Sequence, residues 1–166
     1  MTLLTIVDIR DRVMALCELI VLPLPYTTGT AYRDEQECSW KASDLPAYVV
    51  EESGRGGEYV YDVNSVPCSY LTRDQIRIIL YLAHICDESY TKDFDNIDYA
   101  NRCKAAVIHF FAQRQRLALT SPMFPPLVEK AQITRATSPH TGATKGAATK
   151  NRIIVFTMTV EYLNFA

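Results

Sequence analysis

The run Arg152-Ile-Ile-Val-Phe-Thr-Met-Thr-Val-Glu-Tyr-Leu163 constrains this chain more than any other stretch, because its β-branched and aromatic residues fit a pleated surface and little else. Ile154, Phe156, Met158, Val160 and Tyr162 fall on one face. Ile153, Val155, Thr157, Thr159, Glu161 and Leu163 fall on the other. The first set is the more apolar, so it is expected to meet the rest of the core. Upstream, Leu127 to Thr137 reads as a second strand, separated from the first by Thr137-Ser-Pro-His-Thr-Gly-Ala-Thr-Lys-Gly-Ala-Ala-Thr-Lys-Asn151. That excursion is small, polar and cationic, and contains no acid. The expectation is a long C-terminal β-hairpin carrying a flexible basic loop over about 137–151.

Towards the N-terminus, Thr5-Ile-Val-Asp8 has the form of a capping box with Asp in place of Glu. Ile6, Ile9, Val13, Leu16 and Ile20 then recur at helical spacing, predicting an amphipathic helix of about four turns that Pro23 and Pro25 end. Residues 24 to 45 lack sustained periodicity and are expected to form a loop with room for a short strand. Pro46-Ala-Tyr-Val-Val-Glu51 is a strand, Ser53-Gly-Arg-Gly-Gly57 turns the chain, and Glu58-Tyr-Val-Tyr-Asp-Val63 resumes it. Leu71 to Ile85 moves from alternation to a nearly continuous apolar run, the pattern of a central strand covered on both faces. Asp87 to Asp98 is expected to be an acidic linker. A second helix follows from about Tyr99 to Leu119, with Asn96 or Asp98 as its cap. Its apolar face is Ala100, Cys103, Val107, Phe110, Phe111 and Leu117, and its exposed face carries Arg102, Lys104, Gln113, Arg114 and Arg116. This order predicts an α+β domain over residues 1–166: a mainly antiparallel sheet, two helices packed on one face, and the C-terminal hairpin.

With 166 residues, the chain can bury a sizeable core without staples. A net charge of −2 excludes nucleic-acid binding by bulk electrostatics, but the charge is unevenly placed. Residues 34 to 62 and 87 to 98 are acid-heavy, whereas Lys130 to Val160 holds only bases. Cys17, Cys38, Cys68, Cys86 and Cys103 are odd in number and form no Cys-x-x-Cys pair, which fits a reducing compartment. The start, Met1-Thr-Leu-Leu-Thr-Ile-Val-Asp8, lacks a basic n-region and a cleavage site, and no apolar run is long enough to span a bilayer. A cytoplasmic protein is the expectation.

The catalytic inventory is thin. His84 and His109 are expected to be satisfied core histidines, and the pairs His84/Cys86 and Cys103/His109 match no zinc-ligand rhythm. Neither Gly54-to-Gly57 nor Thr141-Gly-Ala-Thr-Lys-Gly146 has the Gly-Lys-Ser/Thr ending of a phosphate loop. An acidic trio of Asp44, Glu51 and Glu52 could be drawn as a nuclease-like metal site, but the lysine that should follow on the same strand is missing. No nucleophile elbow is present. The sequence therefore predicts no enzyme, no cofactor and no metal, with a small metal-dependent enzyme or a nucleic-acid-binding accessory factor as the alternative. Trp40, the only tryptophan, is either a half-buried anchor of its loop or an interface anchor.

The element order, from the N-terminal helix through Pro46-Ala-Tyr-Val-Val-Glu-Glu52, the Arg73-to-Ile85 strand and the long helix to the hairpin closing in Arg152-Ile-Ile-Val-Phe-Thr-Met-Thr-Val160, resembles the tail-terminator proteins of long-tailed bacteriophages and, more loosely, their other neck and tail-completion proteins. The likeness covers most of the chain and lies in pattern, without a diagnostic motif. It implies a virion protein assembled in the host cytoplasm as a homo-oligomeric ring, most often a hexamer, which caps the tail tube, stops its growth and offers a docking surface to the neck connector. Tail tube, connector and, in a contractile tail, sheath would be its partners, and DNA would pass through the bore without sequence-specific contact. A closed ring needs a heterologous interface. Candidate contacts are Asp34, Glu35, Glu37, Trp40, Glu51 and Glu52 on the acidic side, against Arg135, His140, Lys145, Lys150 and Arg152 on the basic side.

Overall fold

The computed structural model describes residues 5–23, 28–35, 44–53, 58–60, 69–83, 91–117, 128–143 and 150–165. The fold is α+β, with two helices and a mainly antiparallel sheet. Its elements run α1 (Ile6–Cys17), β1 (Thr30–Tyr32), β2 (Ala47–Glu52), β3 (Glu58–Val60), β4 (Ser69–Ala83), α2 (Thr91–Ala112), β5 (Val128–Ala136), β6 (His140–Ala143) and β7 (Lys150–Phe165).

Two long strands form the frame. β4 and β7 pair antiparallel over fifteen consecutive positions, from Ser69↔Phe165 to Ala83↔Asn151. The sheet order is β1-β2-β4-β7-β5, and among the described residues β1–β2 is the one parallel pair. β3 also lies against β4, and β6 against β7. Register shows that β2 and β3 follow one another along the same edge of β4, because Glu52 pairs with Ile76 and Glu58 with Arg73. β2 and β3 therefore run in the same direction, and the turn expected at Ser53 to Gly57 falls on Gly54 to Gly57, outside the described residues. β5 and β6 do the same along β7, with Ala136 opposite Phe156 and His140 opposite Ile153.

The core follows from the register. Ile76, Ile78, Leu80 and Leu82 of β4 and Ile154, Phe156, Met158, Val160 and Tyr162 of β7 are buried on one face with Tyr48 and Val50. The helices cover that face with Ile9, Val13, Leu16 and Cys17 of α1 and Ala100, Cys103, Val107 and Phe111 of α2. The predicted core-facing set of the last strand is the observed one. α1 packs on β1 and β2, and α2 on β5. The opposite face has a smaller apolar cluster, Leu45, Ala47, Val49, Ile79 and Tyr81, with Tyr32, Ile153 and Val155 packed against it. β4 is thus covered on both faces only near its C-terminal end.

Several boundaries differ from expectation. α1 ends at Cys17, well before Pro23, because Leu19 N–H donates to Leu16 O and Ile20 N–H to Cys17 O, tightening the last turn and stopping the helix. Ile20 and Leu22 stay buried while Leu19 and Val21 are exposed, an extended alternation that coincided with helical spacing. α2 starts at Thr91, so the acidic stretch is largely helix. It stops at Ala112, seven residues short of the expected Leu119. There Arg114 N–H bonds Phe111 O, and buried Leu117 adopts a left-handed φ of 49°. Within the range 137–151, where a flexible loop was expected, β6 occupies 140–143 and β7 starts at Lys150, while residues 144–149 lie outside the described residues. Trp40, His84, Cys38, Cys68, Cys86, Gly54 to Gly57 and Lys145 lie outside the described residues.

The capping box is present in full: Asp8 N–H donates to Thr5 Oγ1 at 3.3 Å, and Thr5 N–H to Asp8 Oδ2 at 2.8 Å. The Thr5 side-chain hydroxyl and then its backbone N–H hold the Asp8 carboxyl below its ordinary value. A carboxylate with a depressed folded pKa stabilises the fold above its unfolded pKa and loses that contribution as pH falls through the folded one. Thr5→Ala is expected to cost about 1 kcal/mol at neutral pH, and the difference from wild type should shrink below the ordinary value of 3.8. Chemical denaturation at several pH values measures this. A second pair of variants tests the β1 edge. A Cβ on Gly29 would lie 2.7 Å from Pro46 O and 2.8 Å from Tyr48 Cε2, whereas one on Gly142 would meet only the Cδ1 end of Ile153. Thermal unfolding should show Gly29→Ala destabilised by about 1–3 kcal/mol and Gly142→Ala changed by about 0.5 kcal/mol or less.

Candidate functional site

The surfaces left for function are the helix-free face of the sheet and its two edges. On that face, side chains line up in cross-strand rows. Glu51, Arg77, Thr157 and Arg135 make one row, Gln75, Thr159 and Gln132 the next, and Arg73, Glu161 and Lys130 the third. Arg77 is bonded to Glu51, and Arg73 Nε donates to Glu161 Oε1 at 2.9 Å. Thr134 and Thr159 hydroxyls lie 3.4 Å apart between these ion pairs. Lys130, Gln132, Thr134, Thr159 and Glu161 line a shallow open depression of about 150 Å³. Each exposed ion pair stabilises by about 0.2–1 kcal/mol, so the rows fix side-chain positions more than they hold the sheet together. The other half of the face is closed off. The Tyr81 hydroxyl donates to Glu35 and ties the segment after β1 over the smaller apolar cluster. Burial, and then the Glu35 bond, drives the Tyr81 pKa far above its ordinary value.

The edges are unlike. β1 is three residues long, and its outward Ala31 N–H is taken by the Glu18 carboxylate at 3.0 Å. Arg33 Nη2 bonds Asp11 at 3.0 Å, and Arg10 bridges Asp11 and Glu52 at 3.1 Å each. These bonds bind β1 and β2 to α1. At the far edge, Ala131 N–H donates to Gln115 O, so the segment after α2 covers the start of β5. Register shifts follow Val128 and Ile133. Bulges, a short edge and a covering carbonyl are the means by which a sheet avoids indiscriminate strand pairing. From Thr134 to Thr141 the edge is exposed at Thr134, Arg135, Ser138, His140 and Thr141.

The predicted contact residues separate accordingly. Arg135 and His140 are exposed on the β5–β6 edge, with His140 Nδ1 3.3 Å from Ser138 O. Asp34 is exposed just past β1, and Glu35 is engaged with Tyr81. Glu51 and Glu52 are adjacent on a strand and therefore point to opposite faces, the first to Arg77 and the second to Arg10. The structure does not bring them together as one acidic surface, and the trio with Asp44 cannot converge on a metal. Arg152 is a correction: it is 7% exposed and faces the helix side with Ile154 and Phe156. Lys150 opens β7, while Glu37, Trp40 and Lys145 lie outside the described residues. His109 is also corrected, being exposed on α2 with Nε2 3.1 Å from Gln113 Nε2. The residues sequence reasoning missed are Glu18 and Gln115, which cover the two edges and carry no local signal of doing so.

Among the described residues no group of three or more His, Cys, Asp or Glu side chains is placed to hold a metal ion. Cys17 and Cys103 are buried free thiols. Burial raises both, Cys103 to about 11, which keeps them protonated at neutral pH. No described helix is long and apolar enough to cross a membrane. The chain matches no protein-family model and no curated protein.

Because Glu51 and Glu52 are held apart by the pleat, millimolar Mg²⁺ or Mn²⁺ is expected to leave the thermal midpoint unchanged. A saturable upward shift would place a cation site on this protein.

Proposed function

We propose that this chain is an assembly subunit, one copy of a closed ring at the head-proximal end of a long-tailed phage tail, where it ends growth of the tube and presents a docking surface to the neck. The C-terminal hairpin carries the reading. β7 is paired with β4 from Asn151 to Phe165 and with β5 and β6 on its other side, so the hairpin whose connecting sequence holds Lys145 has a base paired on both sides. A firmly paired base carrying a basic connecting sequence suits a contact arm. The resemblance to tail terminators supplies the assembly in which such an arm would act: tube on one side, connector on the other, DNA in the bore. Closure into a ring requires each copy to offer two different patches, and the unlike edges of the sheet meet that requirement.

Size-exclusion chromatography with light scattering, at low and high salt, should show a discrete multimer, with six copies expected, and electron micrographs of it should show rings with an open centre. A monomer at every concentration and salt would remove the proposal. Replacing residues 144–149 with a tight two-residue turn leaves β6 and β7 intact, so the thermal midpoint should be retained while assembly onto tails is lost.

A further inference from the structure

Five large apolar side chains stand out among the described residues because they are exposed: Val7 at 42%, Leu19 at 58%, Val21 at 73%, Ile97 at 41% and Ile108 at 38%. They fall into two groups at opposite ends of the helical layer. α1 lies over β1 and β2, α2 lies over β5, and the sheet order sets β1 and β5 furthest apart.

The first group borders the β1 edge. Val7, Asp11 and Glu18 recur along one line of α1 and its C-cap at steps of four and seven residues. Asp11 bonds Arg33 and Glu18 bonds Ala31 N–H, so this line turns towards β1. Leu19 follows Glu18 directly, and Val21 is the next outward residue of the extended segment. The second group is on α2. Ala100, Cys103, Val107 and Phe111 face the core, and Tyr99, whose hydroxyl donates to Pro23 O, marks the flank facing the chain that leaves α1. On the helical wheel Ile97, Lys104 and Ile108 lie on the flank away from Tyr99, above the β5 edge. Arg116 is exposed in the segment whose Gln115 carbonyl covers that edge, and Arg135 is exposed on the edge itself.

Each flank therefore joins exposed apolar side chains to an excess of one charge, with Arg33 in the minority on the β1 flank and Glu129 on the β5 flank. Glu18 and Asp34 accompany the β1 flank, and Lys104, Arg116 and Arg135 accompany the β5 flank. We propose that these flanks are each other's binding sites between copies, with Leu19 and Val21 of one subunit seated against Ile97 and Ile108 of the next. The proposal rests on the ring reading and names its interface. Apolar contact at the centre with opposite charges around it is the composition of specific interfaces, and two different patches on opposite flanks produce head-to-tail growth, which forms a ring when the rotation between copies closes.

Val21→Asp and Ile108→Asp each spoil one flank and leave the other whole, and both positions are exposed, so circular dichroism should show unchanged folding. Each variant alone is expected to weaken assembly by about tenfold or more, and an equimolar mixture should yield a one-to-one dimer, because each variant supplies the patch the other lacks. Leu19→Asp mixed with Lys104→Glu repeats the test at independent positions. If wild-type protein assembles and either Asp variant assembles equally well, this interface is wrong while the ring stands. If wild-type protein never assembles, the ring and the interface fall together.

Discussion

The long antiparallel ladder between β4 and β7 is the interaction on which everything else depends. Fifteen paired positions give two strands one shared register, and that register decides the face of every side chain they carry. Even-numbered residues from Ile76 to Leu82 and from Ile154 to Tyr162 join the core beneath the helices, and odd-numbered ones among the described side chains meet solvent or the small second cluster. A slip of one residue would turn Ile76, Ile78, Phe156 and Met158 outward together. The remaining strands add to this pair at its two sides, β2 and β3 in line on one and β5 and β6 in line on the other. The irregularities of the fold are confined to those outer lines, where insertions and bulges leave the central ladder undisturbed.

The uneven covering of the sheet follows from that frame. Helices cover one face, whereas the other is covered only where Tyr81 and Glu35 hold the segment after β1 in place. What remains is a polar half-face whose charges are largely matched by neighbours on the next strand. Both edges are blunted by groups from the helical layer, the carboxylate of Glu18 and the carbonyl of Gln115. Exposed apolar residues sit at the sides of the molecule, beside an excess of acidic groups on one flank and of basic groups on the other. A subunit of a larger assembly needs its adhesive surfaces there.

Much of the architecture was legible locally. The alternation of Ile154 to Tyr162, the capping box at Thr5 and the apolar face of Ala100, Cys103 and Val107 each follow from a short-range pattern that tertiary packing did not override. Arg152 and the Glu51–Glu52 pair show where a reading by charge alone misleads. Parity with Ile154 already assigns Arg152 to the buried face, and adjacency on a strand already sends the two glutamates apart. The helix boundaries were harder to place. Ile20 continues the spacing of α1 while lying outside it, and an acidic stretch reads as a linker although it forms the first turns of α2.

By itself the sequence determined the class of fold, the identity of its core strands and the absence of a familiar catalytic motif, because these depend on residue type and on periods of two and about four along the chain. Only the tertiary structure decided that β3 continues the line of β2 and β6 that of β5, that Glu18 and Gln115 cover the sheet edges, and that Val21 and Ile108 stand on opposite flanks. Those facts depend on which distant segments are neighbours in space, and no local spacing encodes them.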